Sequence, residues 1–272
     1  MEAALKTRNL AVLVSASLLL GTFAFTQTSV SKPRTYVVAM AKTTGGFVMA
    51  SYQFTRVPNF VIYSDGRMIS TSEITPAIYP YPVLPAFRTK FVNGDLKRIV
   101  AALRASKLTD AKFDWGFPGV ADVPNTDVFT QLSAEKRSSL VSVYALGFSG
   151  HGVTKSQSAY RKKAARLLTD LQGFSNKYIW TKSLPTPWTP SRYAYLASEA
   201  EPTELSVTRD WVGPTISADA PCELLTKSES AEITKLGNSI NNESLWSSGG
   251  KIWRVNFRPL LPHESSCKSL GY

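Results

Sequence analysis

The sequence predicts an α+β protein: an antiparallel sheet with helices packed on one face, preceded by an N-terminal signal or anchor helix. Three observations predict it. Short strand-like runs pair around tight-turn signals, above all Asp65-Gly66. Two stretches between those runs repeat apolar residues at helical spacing. A third, Leu10–Phe25, is densely apolar behind Lys6 and Arg8, and no charge follows from Asn9 to Ser31.

Taken in order, residues 1–31 read as a signal peptide or an N-terminal membrane anchor. Leu10–Phe25 is short of the ~20 residues that a spanning helix needs, so a cleaved signal and an uncleaved anchor both stay open. Lys6 and Arg8 would stay in the cytoplasm, and the rest of the chain is expected to be exported. No cysteine lies near this segment, so no lipid attachment there is expected.

Residues 45–180 form the first α+β unit, read as hairpin, helix, hairpin, helix. Asp65-Gly66, between Phe60–Tyr63 and Arg67–Ile69, predicts a hairpin with a type I′ turn. Pro80, Pro82 and Pro85 alternate with apolar residues and predict an extended connection that cannot be a central strand. "FRTKFV" reads as a short strand. Asn93 or Asp95 can cap a helix over 96–108, whose Leu96, Ile99, Val100, Leu103 and Leu108 form one stripe. Residues 113–126 are turn-rich. The strands "DVFTQLS" and "SLVSVYALG" follow, and then a helix over 156–173 with Tyr160, Ala164, Leu167, Leu168 and Leu171 on one side and Gly173 as its stop.

The stretch 181–191, with three prolines in "TKSLPTPWTPS", reads as a linker or a crossing loop. Residues 192–272 form a smaller α+β part: strands "RYAYLAS" and "ELSVTRDW", a helix over 230–241, and a last strand, "KIWRVNFRPLL". In that strand Ile252, Arg254, Asn256 and Arg258 alternate with Trp253, Val255 and Phe257, so one face is polar. Cys222 and Cys267 are the chain's only cysteines and, in an exported protein, are expected to form a disulfide.

The combination of "YQFTRVPNFVIYSDGR", "IYPYPVLP", "FDWGFPGVADVPNT", "VYALG" and "RPLLPHESSC" resembles uncharacterised exported or lipoprotein-type sequences of high-GC Gram-positive bacteria, over about residues 45–267. The resemblance implies export and a shared fold, and it transfers no catalytic residue. Many such sequences carry a lipid-attachment cysteine at the N-terminus, which this chain lacks.

The segment "YALGFSGHG" invites comparison with the G-x-S-x-G nucleophile elbow, in which a serine stands on a sharp turn with a helix directly behind it. Gly147 and Ser149 fit. His151 occupies the place of the second glycine, and the helix is expected only several residues later, so the segment reads first as a polar turn. The catalytic alternative needs Ser149, His151 or His263, and Asp122 to converge. Asp114, Asp122, Asn125 and Asp127 could supply oxygen ligands to Ca²⁺, but their spacing matches no EF-hand, and side chains capping their own turns explain them as well. No pair of carboxylates is marked for glycoside cleavage, and no cofactor is expected. Trp180, Trp188 and Trp211 either line an aromatic shelf for sugars or pack internally.

Net charge is +11. Outside the membrane such an excess favours anionic wall polymers, lipid head groups or acidic proteins, although the basic residues are dispersed and Arg161-Lys162-Lys163 is their densest run. Nucleic acid is not an expected partner. The leading expectation is a non-enzymatic exported envelope protein that binds a partner protein or an anionic wall component. The alternatives are an extracytoplasmic hydrolase using Ser149 or a carboxylate pair, and an accessory subunit anchored in the membrane through Leu10–Phe25.

Overall fold

The computed structural model describes residues 35–71, 79–134, 137–175, 177–179, 184–217 and 222–272. Leu10–Phe25, the expected signal or anchor, lies outside them. In chain order the elements are β1 (Val37–Thr44), α1 (Ala50–Thr55), β2 (Phe60–Tyr63), β3 (Arg67–Thr71), β4 (Phe87–Phe91), α2 (Leu96–Ala105), β5 (Asn125–Thr130), β6 (Ser139–Tyr144), α3 (Lys155–Gln172), β7 (Thr186–Trp188), β8 (Tyr193–Glu199), β9 (Val207–Asp210), β10 (Glu223–Leu224), α4 (Lys227–Leu236), β11 (Ser244–Ser248), β12 (Lys251–Pro259) and α5 (Cys267–Leu270). They make two sheets, ordered β6-β5-β1-β2-β3-β4-β7 and β10-β8-β12-β11-β9. The first is antiparallel throughout. The second is antiparallel except that β9 runs parallel to β11.

Side chains alternate across the first sheet. One face carries Ala39, Ala41, Phe60, Ile62, Met68, Val128, Val141 and Val143 and is covered by Ile99 and Leu103 of α2 and by Ala164, Leu167, Leu168 and Leu171 of α3. Each fully buried leucine or isoleucine there contributes about 1.5–3 kcal/mol relative to exposure. The other face carries Val37, Val61, Tyr63, Ile69 and Phe87, with Leu261 from the tail after β12 packed on it. A register shift between Val37 and Ala39 puts these two residues, two apart in sequence, on opposite faces.

The β2–β3 hairpin forms where Asp65-Gly66 places it, but with a different turn. Gly66 has φ 81°, whereas Ser64 and Asp65 are not left-handed, and Gly66 N–H donates to the Tyr63 carbonyl at 2.9 Å. This is a three-residue loop closed by a glycine bulge rather than a type I′ turn. Asp65 Oδ1 accepts from Arg67 N–H at 3.0 Å, and a Cβ on Gly66 would fall 1.3 Å from Asn93 Oδ1. Upstream of the hairpin, residues 50–55 are helical, and Phe54 is buried against Ala194 and Leu260.

The helix expected over 156–173 starts at Lys155. Thr154 and Gln157 form a reciprocal capping box, and Phe174, with φ 55°, rather than Gly173 makes the left-handed turn after it. Asp95 stands at the N-cap of α2, but its carboxylate pairs with Arg98 at 3.7 Å instead of capping the helix.

Residues 35–272 form one compact unit. Val83 N–H donates to the Ile240 carbonyl at 3.3 Å, and Val83 and Leu84 pack in the core of the second sheet. In the stretch expected as a linker, β7 adds an edge strand to the first sheet through Phe87–Trp188 pairing. Three prolines do not prevent this, because an edge strand needs hydrogen bonds on one side only.

Cys222 and Cys267 form a disulfide that joins the start of β10 to α5 across 45 residues. On the chain-entropy model a loop of that size stabilises by about 4 kcal/mol. Urea unfolding of the Cys222→Ser/Cys267→Ser variant should show a loss of that order. A loss below about 1 kcal/mol would contradict the entropic account.

Candidate functional site

The GFSGHG loop is built from backbone inward. Arg161 of α3 is 1% exposed and, among the described residues, forms no ion pair. Its Nε donates to the Phe148 carbonyl at 2.8 Å, Nη1 to Trp115 at 3.0 Å, and Nη2 to Tyr144 at 2.6 Å and also to Ala145. Burial lowers its pKa, yet a guanidinium stays charged in proteins, so carbonyl dipoles supply the compensation. The His151 and Gly152 carbonyls accept from Gly119 and Phe117 N–H at 3.1 and 3.2 Å. Only glycine fits at position 152, because a Cβ there would lie 2.1 Å from the Phe117 carbonyl oxygen at φ 83°.

Ser149 and His151 therefore ride exposed on a loop anchored beneath them. The helix begins at Lys155, so the serine has no helix N-terminus directly behind it. Asp122 is exposed with φ 57°. His263 packs on Tyr63, whose ring belongs to the face of the first sheet turned away from α3. Among the described residues, no hydrogen bond or ion pair joins Ser149, His151, Asp122 and His263 to one another. Beside Gly147 lies a cavity of about 190 Å³ lined by Thr43, Asn59, Thr126, Thr169 and Gln172, without any ionisable group.

The acidic loop is divided in the same way. Asp114 accepts from Gly116 N–H and from Gln157 Nε2, both at 2.9 Å. Asn125 and Asp127 belong to β5, where Asp127 Oδ2 accepts from Thr44 Oγ1 at 2.7 Å. Among the described residues, no three His, Cys, Asp or Glu side chains gather in a metal-binding group. Trp188 packs edge-on against Phe87, and Trp211 lies among Tyr195, Trp246 and Phe257. Trp180 lies outside the described residues.

A cluster of perturbed groups meets elsewhere, where the tail after β12 folds back over the first sheet. Arg258 and Glu264 pair at 2.7 Å, with side chains 2% and 7% exposed. Glu264 also accepts from Leu261 N–H at 2.8 Å, and Arg258 Nη1 donates to the Pro259 carbonyl at 2.5 Å. The Tyr63 hydroxyl and His263 Nδ1 are 3.0 Å apart, and the Arg67 guanidinium lies 5.1 Å from the centre of the Tyr63 ring. Burial, and then the Glu264 charge, raises the Tyr63 pKa. Burial, and then Arg258, lowers that of Lys42. In the sequence Arg258 belongs to the polar face of β12. It is buried because residues 260–264 close over it, a long-range event that strand alternation does not encode.

No family model, curated protein or solved structure matches the chain. The disulfide fits an oxidising, extracytoplasmic environment. Among the described residues, no helix is long and apolar enough to cross a membrane.

His263 gives this junction a pH dependence. His263 is exposed at the surface, yet partial burial of its ring, reinforced by Arg258 and only partly offset by Glu264, lowers its pKa. The unfolded chain then binds the proton more readily than the folded one. The stabilisation is full above the ordinary value of about 6.5 and is lost as pH falls through and below it. Urea unfolding from pH 7.5 to 5 should show the native chain losing more stability than His263→Gln; parallel losses would contradict this.

Proposed function

We propose that the protein is an exported, non-enzymatic binding protein of the cell envelope, and that its ligand is an anionic envelope component. The observation that carries this reading is positive charge only weakly compensated at the junction of the tail and the first sheet. Glu264 spends its oxygens on Arg258 and Leu261 N–H. Among the described residues, Arg67 forms an ion pair with Asp65 alone, at 3.6 Å, and no carboxylate forms one with Arg192. The net charge of +11 sets the same sign over the whole chain. The signal-like N-terminus and the disulfide support an extracytoplasmic setting. The exposed places of Ser149 and His151, with no base bonded to the serine among the described residues, favour binding over hydrolysis.

A second reading, docking to an envelope protein, is favoured by one surface feature. Phe47 and Met49 are 89% and 76% exposed beside Val48 and Tyr52, a contiguous apolar tip of the kind that marks interaction sites.

Retention of the purified full chain on isolated anionic wall polymer tests the proposal. Retention should fall at least tenfold between roughly 50 and 500 mM salt, because surface charge attraction is screened over that range. An absence of retention, or retention indifferent to salt, would contradict it. Salt-indifferent capture of an envelope protein that is lost in Met49→Ser would move the conclusion to the second reading.

A further inference from the structure

A cavity of about 310 Å³ opens at the same junction. Arg67 of β3, Trp188 at the end of β7, Thr189, Ser191, Arg192 just before β8, and Glu264 line it. Small-ligand pockets begin at about 300 Å³, so the space suits a single ring and its substituents. Among the described residues, Arg67 Nε is buried without a hydrogen-bond partner. Its Asp65 contact, at 3.6 Å between partly exposed side chains, is a weak one.

The lining is held in place before any ligand arrives. The strand pairing of β3 with β4 fixes the Arg67 backbone, and its guanidinium lies over Tyr63. Arg192 Nε donates to the Leu225 carbonyl at 3.3 Å, and its own carbonyl accepts from Leu260 N–H at 2.9 Å. Trp188 is braced edge-on by Phe87, with ring centres 5.2 Å apart. Glu264 does not neutralise the space, because its carboxylate is turned to Arg258.

We propose that this cavity binds one sugar ring that carries a single anionic group, a phosphate or a carboxylate. Guanidinium forks match either anion. Thr189 and Ser191 in the lining bring hydroxyls of the kind that exchange hydrogen bonds with ring hydroxyls, and Trp188 brings an aromatic side chain to the same lining. The inference rests on the reading that the ligand is anionic and names its class.

Calorimetric titration of the full chain with glucose 6-phosphate, glucuronate, glucose and inorganic phosphate tests it. Saturable binding of either anionic sugar, at least roughly tenfold tighter than glucose or inorganic phosphate, supports the proposal, and the tighter of the two identifies the anion. Arg192→Gln should weaken that binding roughly tenfold, and Arg67→Gln serves as a second variant; unchanged circular dichroism shows that each folds. No saturation by either anionic sugar in the millimolar range overturns the inference. So does glucose or inorganic phosphate binding as tightly, or full affinity in both variants. Polymer retention measured in parallel separates the two levels. Retention without sugar binding removes this inference and leaves the functional reading standing, whereas loss of both removes both.

Discussion

The buried pair of Arg258 and Glu264 is the interaction on which the junction depends. It clamps residues 260–264 onto the end of β12, and that clamp sets Leu261 on the back of the first sheet and His263 on Tyr63. Removing two such charges from water is costly, and their attraction offsets the cost only when the remaining donors and acceptors are satisfied. Leu261 N–H and the Pro259 carbonyl complete the set. The positive cavity beside it follows from the same choice, because a carboxylate committed inward cannot neutralise Arg67 and Arg192.

Arg161 solves a related problem without a partner charge. Four carbonyls from residues 115, 144, 145 and 148 surround it, so one side chain of α3 orders two loops at once. The arginine of the densest basic run is thus a structural core residue, and the run offers Lys162 and Lys163 alone to solvent. Charge counted along the sequence overstates charge at the surface, and the two buried arginines show where the difference goes.

Features set by neighbouring residues were legible in advance. The β2–β3 hairpin, α2, α3 and β12 follow local periodicity and turn chemistry, and the disulfide follows from two cysteines with no other partner. β1, an interior strand of the first sheet, was not anticipated. Its Val37–Ala41 run is buried on both faces and lacks the alternation that marks a half-exposed strand. β7, β10 and β11 are short, and β11 lies between partners on both sides. For the site, a motif directed attention to Ser149, which the fold leaves on an exposed loop. The junction unites residues 63, 67, 188, 192, 258 and 264, whose proximity no spacing rule reveals.

A double-mutant cycle on Arg258 and Glu264 tests the account at its centre. Arg258→Met, Glu264→Leu and the double variant would be unfolded in urea. A clamp of the kind described predicts that each single change costs more than the double, with a coupling above about 1.5 kcal/mol, because either alone strands a buried group. Single effects that add to the double within about 0.5 kcal/mol would show that the two side chains do not act as a pair, and would contradict the account.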